Sequence, residues 1–320
     1  MTTHNDPNDY LMAGESKEFI NLWYNAKNFM PEGITSGLNE FGKLLMQNVP
    51  TWGLPIPFKT LNEMCYGLHK EKIILFTALE GRGKTEIIRA IEHSLLKHTD
   101  ATIGCIHLEE SKARMLEGLV GYELETPVHL PDMGLERNEL TFTLGNLLKQ
   151  RNDRLHLYSH FDSESPDVIL EKIRYLVTVL HCEYIFLDHI TACVTGLEDA
   201  KQRESLDYLS TKLGHMVEDL QFGLAMVSHV NDNGLTRGSR MPSKVASFHV
   251  HMDRDLVHPN ENVRNTTFLT MKKNRFAGIT GDCGQLVFDP KTFMLHEAGE
   301  EEIVKRESVP YVNDLKWTNK

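Results

Sequence analysis

Between Lys72 and Ser228 the chain alternates short apolar runs with amphipathic stretches, and this alternation restricts the fold more than any other feature. Strand-like runs fall at Ile73–Ala78, Thr102–Leu108, Leu155–Tyr158, Tyr184–Leu187 and Leu224–Ser228. Helical periodicity falls between them, at Thr85–Lys97, Ser111–Gly121, Pro166–Leu180 and Lys201–Leu220. Strand, helix, strand in repeated order predicts right-handed βαβ units around a buried parallel sheet, an α/β fold. After Phe248 the character changes. β-rich runs at Phe248–Met252, Thr266–Met271, Gln285–Phe288 and Phe293–Leu295 are separated by turn residues, and they predict antiparallel strands added at a sheet edge.

Ahead of this block, Glu15–Asn28 reads as a short helix with an apolar stripe at Phe19, Leu22 and Trp23, and Leu38–Met46 as a second helix. Pro50, Gly53, Pro55 and Pro57 mark a boundary. The expected organisation is an arm over residues 1–50, a main domain over 51–298 and a polar tail over 299–320. No apolar run is long enough to span a bilayer, the first ten residues lack the order of a secretion signal, and a cytoplasmic protein is expected. The five cysteines form no CxxC pair, which fits reduced thiols. His249 and His251 alternate as on one strand face without thiol or carboxylate partners at zinc spacing, so no zinc site is expected.

The stretch Ala78-Leu79-Glu80-Gly81-Arg82-Gly83-Lys84-Thr85 joins the first strand to the first helix. It follows the phosphate-binding pattern G-x-x-x-x-G-K-[ST] with alanine at the first position, where the strand ends and a small residue suffices. Gly81 and Gly83 can take the backbone angles that turn N–H groups onto phosphate oxygens at a helix N-terminus. Arg82 lies between them. Lys84 is placed to reach the β- and γ-phosphates and the Thr85 hydroxyl to hold Mg²⁺. A metal-bound phosphate also needs a carboxylate at the end of another buried strand, and YIFLDH supplies Asp188. The second strand runs into Glu109-Glu110, with Glu109 directly continuing it as the candidate base for water. The fifth ends in His229, an imidazole that can sense the γ-phosphate. In an open parallel sheet, strand ends 78, 109, 188 and 229 share the edge where ligands bind.

Charge adds a second theme. The chain carries −11 overall, yet residues 237–275 hold eight Lys/Arg against three acids. Such a local +5 segment is either a solvated surface or a face for a polyanion.

Taken in order, GLPIPFKTLNEMCYGL (53–68), the loop at 78–85, IHLEES (106–111), FLDHI (186–190), MVSHV (226–230), TRGS (236–239) and KNRFAGITG (273–281) resemble the RecA-type motor domain of DnaB-like replicative helicases. The likeness spans roughly residues 15–296 and is greatest to the helicase half of phage T7-type primase-helicases and to Twinkle. The resemblance implies a RecA-like P-loop core with a mostly parallel sheet, antiparallel edge strands and an N-terminal helical linker that packs on an adjacent subunit. It implies an NTP hydrolase using ATP or dTTP with Mg²⁺, working as a homo-oligomeric ring of six on single-stranded DNA in the 5′→3′ direction. Glu109 would be the catalytic base, and His229 would couple the γ-phosphate to the loop after it. Arg275, assisted by Lys273, would be an arginine finger reaching the neighbouring subunit's nucleotide. Two loops would hold DNA: one over about 193–203, with Lys201 and Arg203, and one over about 231–244, with Asn231, Arg237, Gly238, Arg240 and Lys244.

Departures from the pattern are specific. The second loop is shorter than in T7-type relatives, VNDNGL after His229 lacks their lysines, and Lys244 stands where the family usually has glutamine. No primase module is expected upstream, so a separate primase would act with the chain. The tail GEEEIVKRESVPYVNDLKWTNK, with Tyr311 and Trp317, is either a docking segment for a partner such as a DNA polymerase or a solvated tail. Two other readings stay open: a recombinase or recombination mediator of the RecA/KaiC type, and a non-hydrolysing DNA-binding scaffold.

Overall fold

The structure, a computed structural model, describes residues 4, 6–26, 34–47, 49–159, 165–194, 198–230 and 239–305. The chain divides into two compact units, Met1–Thr51 and Trp52–Lys320.

The first unit is helical: α1 (Pro7–Met12), α2 (Ser16–Tyr24) and α3 (Leu38–Gln47). Asp6 caps α1 by accepting from Asn8 N, and Pro7 fits the first turn, where no amide proton is needed. Tyr10 is buried and packs at 5.8 Å from Phe19, which in turn lies 6.2 Å from Trp23. Trp23, Tyr24, Leu38, Leu45 and Met46 are exposed.

The second unit begins with α4 (Lys59–Cys65) and then β1 (Ile73–Ala78), α5 (Lys84–His98), β2 (Ile103–His107), α6 (Lys112–Leu124) and α7 (Arg137–Leu147). It continues through β3 (Leu155–Ser159), α8 (Pro166–Thr178), β4 (Tyr184–Asp188), α9 (Asp199–Asp219) and β5 (Gly223–His229). α10 (Met241–Val245), β6 (Phe248–Asp253), α11 (Glu261–Asn265), β7 (Thr266–Asn274), β8 (Gly281–Asp289) and β9 (Met294–Glu297) complete it.

The nine strands among the described residues form one sheet, ordered β3-β2-β4-β5-β1-β6-β7-β8-β9. β1 is buried along its whole length because helices cover both faces. On one face Ile74, Phe76 and Ala78 meet Ile87, Ile88 and Ile91 of α5. On the other, Ile73 and Leu75 share a core with Leu206, Leu209 and Leu213 of α9 and with Ile169 and Ile173 of α8. The period-two alternation of β1 therefore divides between two cores rather than between core and water.

The edge differs from expectation in one strand. β6 pairs with β1 in parallel, Ile74 opposite Phe248, so the parallel part extends from β3 to β6. Only β7, β8 and β9 are antiparallel additions. The crossover from β5 to β6 passes through a segment too short and polar to read as a βαβ unit, which is why sequence pattern missed it. α4 and α7 also lack a strong periodic signature. α4 has no side-chain cap of its own; the Glu297 carboxylate from β9 accepts from Thr60 N at 3.0 Å and ties the two ends of the unit together. Cys65, Cys105, Cys182, Cys193 and Cys283 are all buried, and none is in a disulfide. Burial pushes the Cys182 thiol up to about 12, and burial with the charge of Asp282 does the same for Cys283.

Candidate nucleotide and hydrolysis site

β1 ends at Ala78 and α5 starts at Lys84, leaving a five-residue turn. Gly81 and Gly83 both have left-handed backbone angles, φ 72° and 85°. A Cβ on Gly83 would meet nothing, so its requirement is conformational rather than steric. Gly83 is the N-cap of α5 and offers no side chain there, which leaves the first amides of that helix facing outward.

Lys84 folds back over this turn. Its ammonium donates to Leu79 O at 2.7 Å and Ala78 O at 3.4 Å. Burial lowers its pKa, and the nearby carboxylates of Asp188, Glu80 and Glu109 oppose that effect. Thr85 Oγ1 donates to Asp188 Oδ2 at 2.6 Å. A hydroxyl and a carboxylate oxygen in contact form an all-oxygen donor pair that suits a hard cation such as Mg²⁺.

Neighbouring strands bring the remaining groups to the same edge. Ala78 lies opposite His229 in the β1–β5 register, and His107 opposite Asp188 in the β2–β4 register. Leu108 N donates to Asp188 O at 2.8 Å, which carries Glu109 past the end of β2. Glu109 is 69% exposed, its carboxylate 3.0 Å from His189 Nε2. The His189 and His229 rings meet edge to face, 4.2 Å between centroids.

Adjacent Glu110 has a different environment. Arg89 Nη2 donates to both its carboxylate oxygens, at 2.7 and 2.8 Å, while Arg89 Nη1 holds Glu86. His107 Nδ1 lies 3.3 Å away and Ser159 Oγ donates to the Glu110 carbonyl at 2.8 Å. Behind it His107 Nε2 meets buried Glu92 at 3.0 Å. Burial alone would raise the Glu110 carboxyl; His107 and Arg89 outweigh it and hold it below the usual range. The two glutamates are thus sorted by contact: Glu110 anchors the turn, and Glu109 extends over the edge.

The structure thereby brings Ala78, Gly81, Gly83, Lys84, Thr85, Glu109, Asp188 and His229 to one edge, with Arg82 half-buried on the connecting turn. It does not bring Arg275 or Lys273 there. Arg275 N donates to Ser247 O, and Ser247 N to Ile73 O, so Arg275 is level with the first residue of β1. Five strand steps from Ile73 to Ala78 put it about 16 Å from the loop, beyond an arginine's reach. Arg275 Nη2 donates to Lys244 O at 2.9 Å, and Lys273 Nζ donates to Ser243 O and Lys244 O at 2.8 and 2.7 Å. Burial first, and the Arg275 guanidinium second, push Lys273 down to about 8.

The basic residues assigned to two loops are partly helical. Lys201 and Arg203 lie in the first turns of α9, which begins at Asp199, and Lys201 Nζ is 3.7 Å from Glu198. Arg240 caps α10 and Lys244 lies within it. Asn231, Arg237 and Gly238 lie outside the described residues, as do Tyr311 and Trp317. His249 and His251 both converge on Thr77 Oγ1, at 2.9 and 3.2 Å. Sequence reading missed His189, although it directly follows the strand-end Asp188. It also missed the Arg89–Glu110–His107–Glu92 chain, whose members carry no recognisable spacing.

A parallel sheet whose first strand turns through two left-handed glycines into a lysine-led helix, with acidic and imidazole groups on the adjoining strand ends, defines a RecA-like P-loop core. Residues 53–257 match the family model described as DnaB-like helicase C terminal domain, and the chain belongs to that family. It is 24% identical over 309 residues to the "DNA helicase/primase" of Enterobacteria phage T3, a match covering 90% of this chain but 54% of that protein. The chain thus spans about half the length of this curated relative. Among solved structures it is similar in fold to "The Structure Of A DnaB-Like Replicative Helicase And Its Interactions With Primase", with a TM-score of 0.63 and 15% identity, covering 91% of this chain and 73% of that one. It is also similar in fold to a KaiC-like protein, PH0186 from Pyrococcus horikoshii OT3, with a TM-score of 0.58 and 12% identity, covering 78% of this chain and 100% of that one.

Proposed function

We propose that the chain is the motor of a ring-forming replicative DNA helicase, which couples hydrolysis of ATP or dTTP to movement along single-stranded DNA and to duplex unwinding. The observation that carries this reading is the separation just described. The candidate phosphate and metal groups lie at one edge of the sheet, and Arg275 lies at the other. In this reading a single copy holds both halves of a hydrolytic site without joining them, and a neighbour supplies the finger.

In this reading the outward amides of the turn at Gly81–Gly83 and the Lys84 ammonium bind the triphosphate, with Arg82 beside them. Lys84 exchanges two carbonyl partners for phosphate oxygens, and the loss of those bonds is offset by a charge-assisted contact. Thr85 and Asp188 would hold Mg²⁺, which would supply positive charge to offset the triphosphate during hydrolysis. Glu109 accepts the proton of the attacking water, which its exposure allows. His229 touches the γ-phosphate side and leads directly into the second loop. Arg275, positioned by Lys273, stabilises transition-state charge in the adjacent subunit's site. Lys201, Arg203, Arg240 and Lys244, with Asn231, Arg237 and Gly238, contact the DNA backbone.

Family likeness supports a ring of six, 5′→3′ movement, a cytoplasmic replication setting, and a separate primase and DNA polymerase as partners. The motor would occupy residues 51–298, the arm over 1–50 would pack on a neighbour, and 299–320 would form a tail. The test is nucleotide hydrolysis, with and without single-stranded DNA, by wild type, Arg275→Ala, Lys84→Ala and an equimolar mixture of the two variants. DNA stimulates the wild type, each variant alone is silent, and the mixture regains activity. Normal hydrolysis by Arg275→Ala alone defeats the trans-acting finger. Hydrolysis that DNA does not stimulate would mean that the energy of this site goes somewhere other than unwinding.

A further inference from the structure

We propose that Glu109, His189 and His229 form a binding site for a zinc-class divalent cation, separate from the all-oxygen pair of Thr85 and Asp188. One donor atom from each of the three lies within 4.8 Å of the others, the only such set among the described residues. A tetrahedral zinc ion with bonds of about 2.0–2.2 Å needs its donors about 3.3 Å apart. Glu109 Oε1 already lies 3.0 Å from His189 Nε2, so drawing in His229 needs movement of no more than about 1.5 Å, which the 69% exposed Glu109 side chain can follow.

The second observation concerns His189 itself. Its side chain is 7% exposed, yet its Nε2 makes no hydrogen bond. Glu109 Oε1 lies 3.0 Å away but off the axis of the ring N–H. A buried ring nitrogen beside a carboxylate and a second imidazole, without a hydrogen bond of its own, is disposed for a ligand. His189 Nδ1 lies 2.6 Å from Thr191 Oγ1 and accepts from Ala192 N at 3.0 Å. With a metal on Nε2, the proton resides on Nδ1 and is donated to the Thr191 hydroxyl, an outer partner of the kind that fixes ligating histidines. Ala192 N then retains its bond to His189 O, also 3.0 Å.

The donor chemistry selects the ion. Two imidazoles and a carboxylate suit zinc or cobalt, whereas magnesium prefers the oxygens of Thr85 and Asp188. Three protein ligands leave a fourth position open to water. The consequence for hydrolysis, though not the binding itself, rests on the role proposed above for Glu109: a bound zinc-class ion occupies the base and its neighbouring imidazole together and silences turnover while leaving the magnesium pair intact. The three ligands come from the ends of β2, β4 and β5, too far apart in sequence to show metal-site spacing.

The test uses the full chain, stripped with a chelator and free of nucleotide. Zn²⁺ is titrated against a chromophoric competitor, and Co²⁺ binding is followed by visible absorption. We expect one tight zinc per chain and a tetrahedral Co²⁺ spectrum without a thiolate charge-transfer band. Glu109→Gln and His189→Asn each weaken binding by about tenfold or more. His296→Ala, at an exposed histidine 3.1 Å from Glu302, leaves it unchanged. Glu109→Gln alters an exposed group, so its result stands even if His189→Asn fails to fold. Equal binding by all variants, a thiolate band, or no tight binding overturns the proposal. Because no nucleotide is present, these outcomes are independent of the mixing experiment on Arg275 and Lys84.

Discussion

Arg89 Nη2 donates to both carboxylate oxygens of Glu110, so the residue directly after the exposed Glu109 is fixed to the helix that follows the glycine turn. The arrangement separates anchoring from chemistry between two adjacent, identical side chains. Glu109→Gln should change stability by less than about 0.5 kcal/mol, as for a surface substitution. It should lower hydrolysis by about a hundredfold or more, as for a lost general base. Glu110→Gln should behave oppositely in stability, with a loss of about 2 kcal/mol. That is less than the roughly 3–5 kcal/mol for orphaning a buried ion, because Glu86 still faces Arg89. Thermal unfolding and steady-state turnover of both variants check the pair.

Gly118 of α6 provides the room that Arg89 occupies. A Cβ there would lie 2.1 Å from Arg89 Nε and 2.6 Å from Cδ. Gly118→Ala should therefore destabilise by about 1–3 kcal/mol despite alanine's better helix propensity, because the buried guanidinium must move. Hydrolysis should fall with it, as Glu110 loses its partner. A variant that is as stable as wild type would show that the guanidinium can relocate freely.

At the glycine turn, Gly83→Ala meets no steric obstacle but imposes φ 85° on a residue with a side chain. The expected loss is about 1–2 kcal/mol of stability. Nucleotide affinity should weaken further if the turn relaxes to a different backbone shape. Nucleotide-dependent thermal shift, compared between wild type and variant, separates these effects.

Burial pushes the His249 imidazole down to about 4, helped by His251, Lys272 and Lys273. The folded state thus prefers the neutral ring. This contribution is present above about 6.5, the ring's ordinary value, and is lost as pH falls through about 4. Over that window the chain should lose up to about 3 kcal/mol from this group. His249→Gln, which can still bond Thr77, should retain more of its neutral-pH stability at pH 4.5 than wild type. Denaturant midpoints at the two pH values decide it.

Much of the sheet could be read from the chain because β1, β2, β4 and β5 are buried on both faces and so appear as nearly continuous apolar runs. Their ends carry the glycines, lysine, acids and imidazole that sequence alone could place at one edge. The parallel pairing of β6 with β1 was not legible, since alternation of buried and half-buried residues in FHVHMD reads equally well as an antiparallel edge strand. His189 escaped notice because its partners are set by tertiary contact between three strand ends. Arg275 illustrates the opposite limit: its motif is readable, but that its side chain turns to the Lys244 carbonyl, level with Ile73, follows only from hydrogen-bond register.

The burial of all five cysteines has a practical consequence. With burial raising the thiols of Cys65, Cys105, Cys182 and Cys283, and Cys193 equally enclosed, the folded chain carries no exposed cysteine thiol. A cysteine introduced at an exposed position such as Lys201 would be alkylated selectively without removing any native thiol. A single fluorophore placed there would report from the start of α9 on an otherwise chemically silent background, one chain at a time.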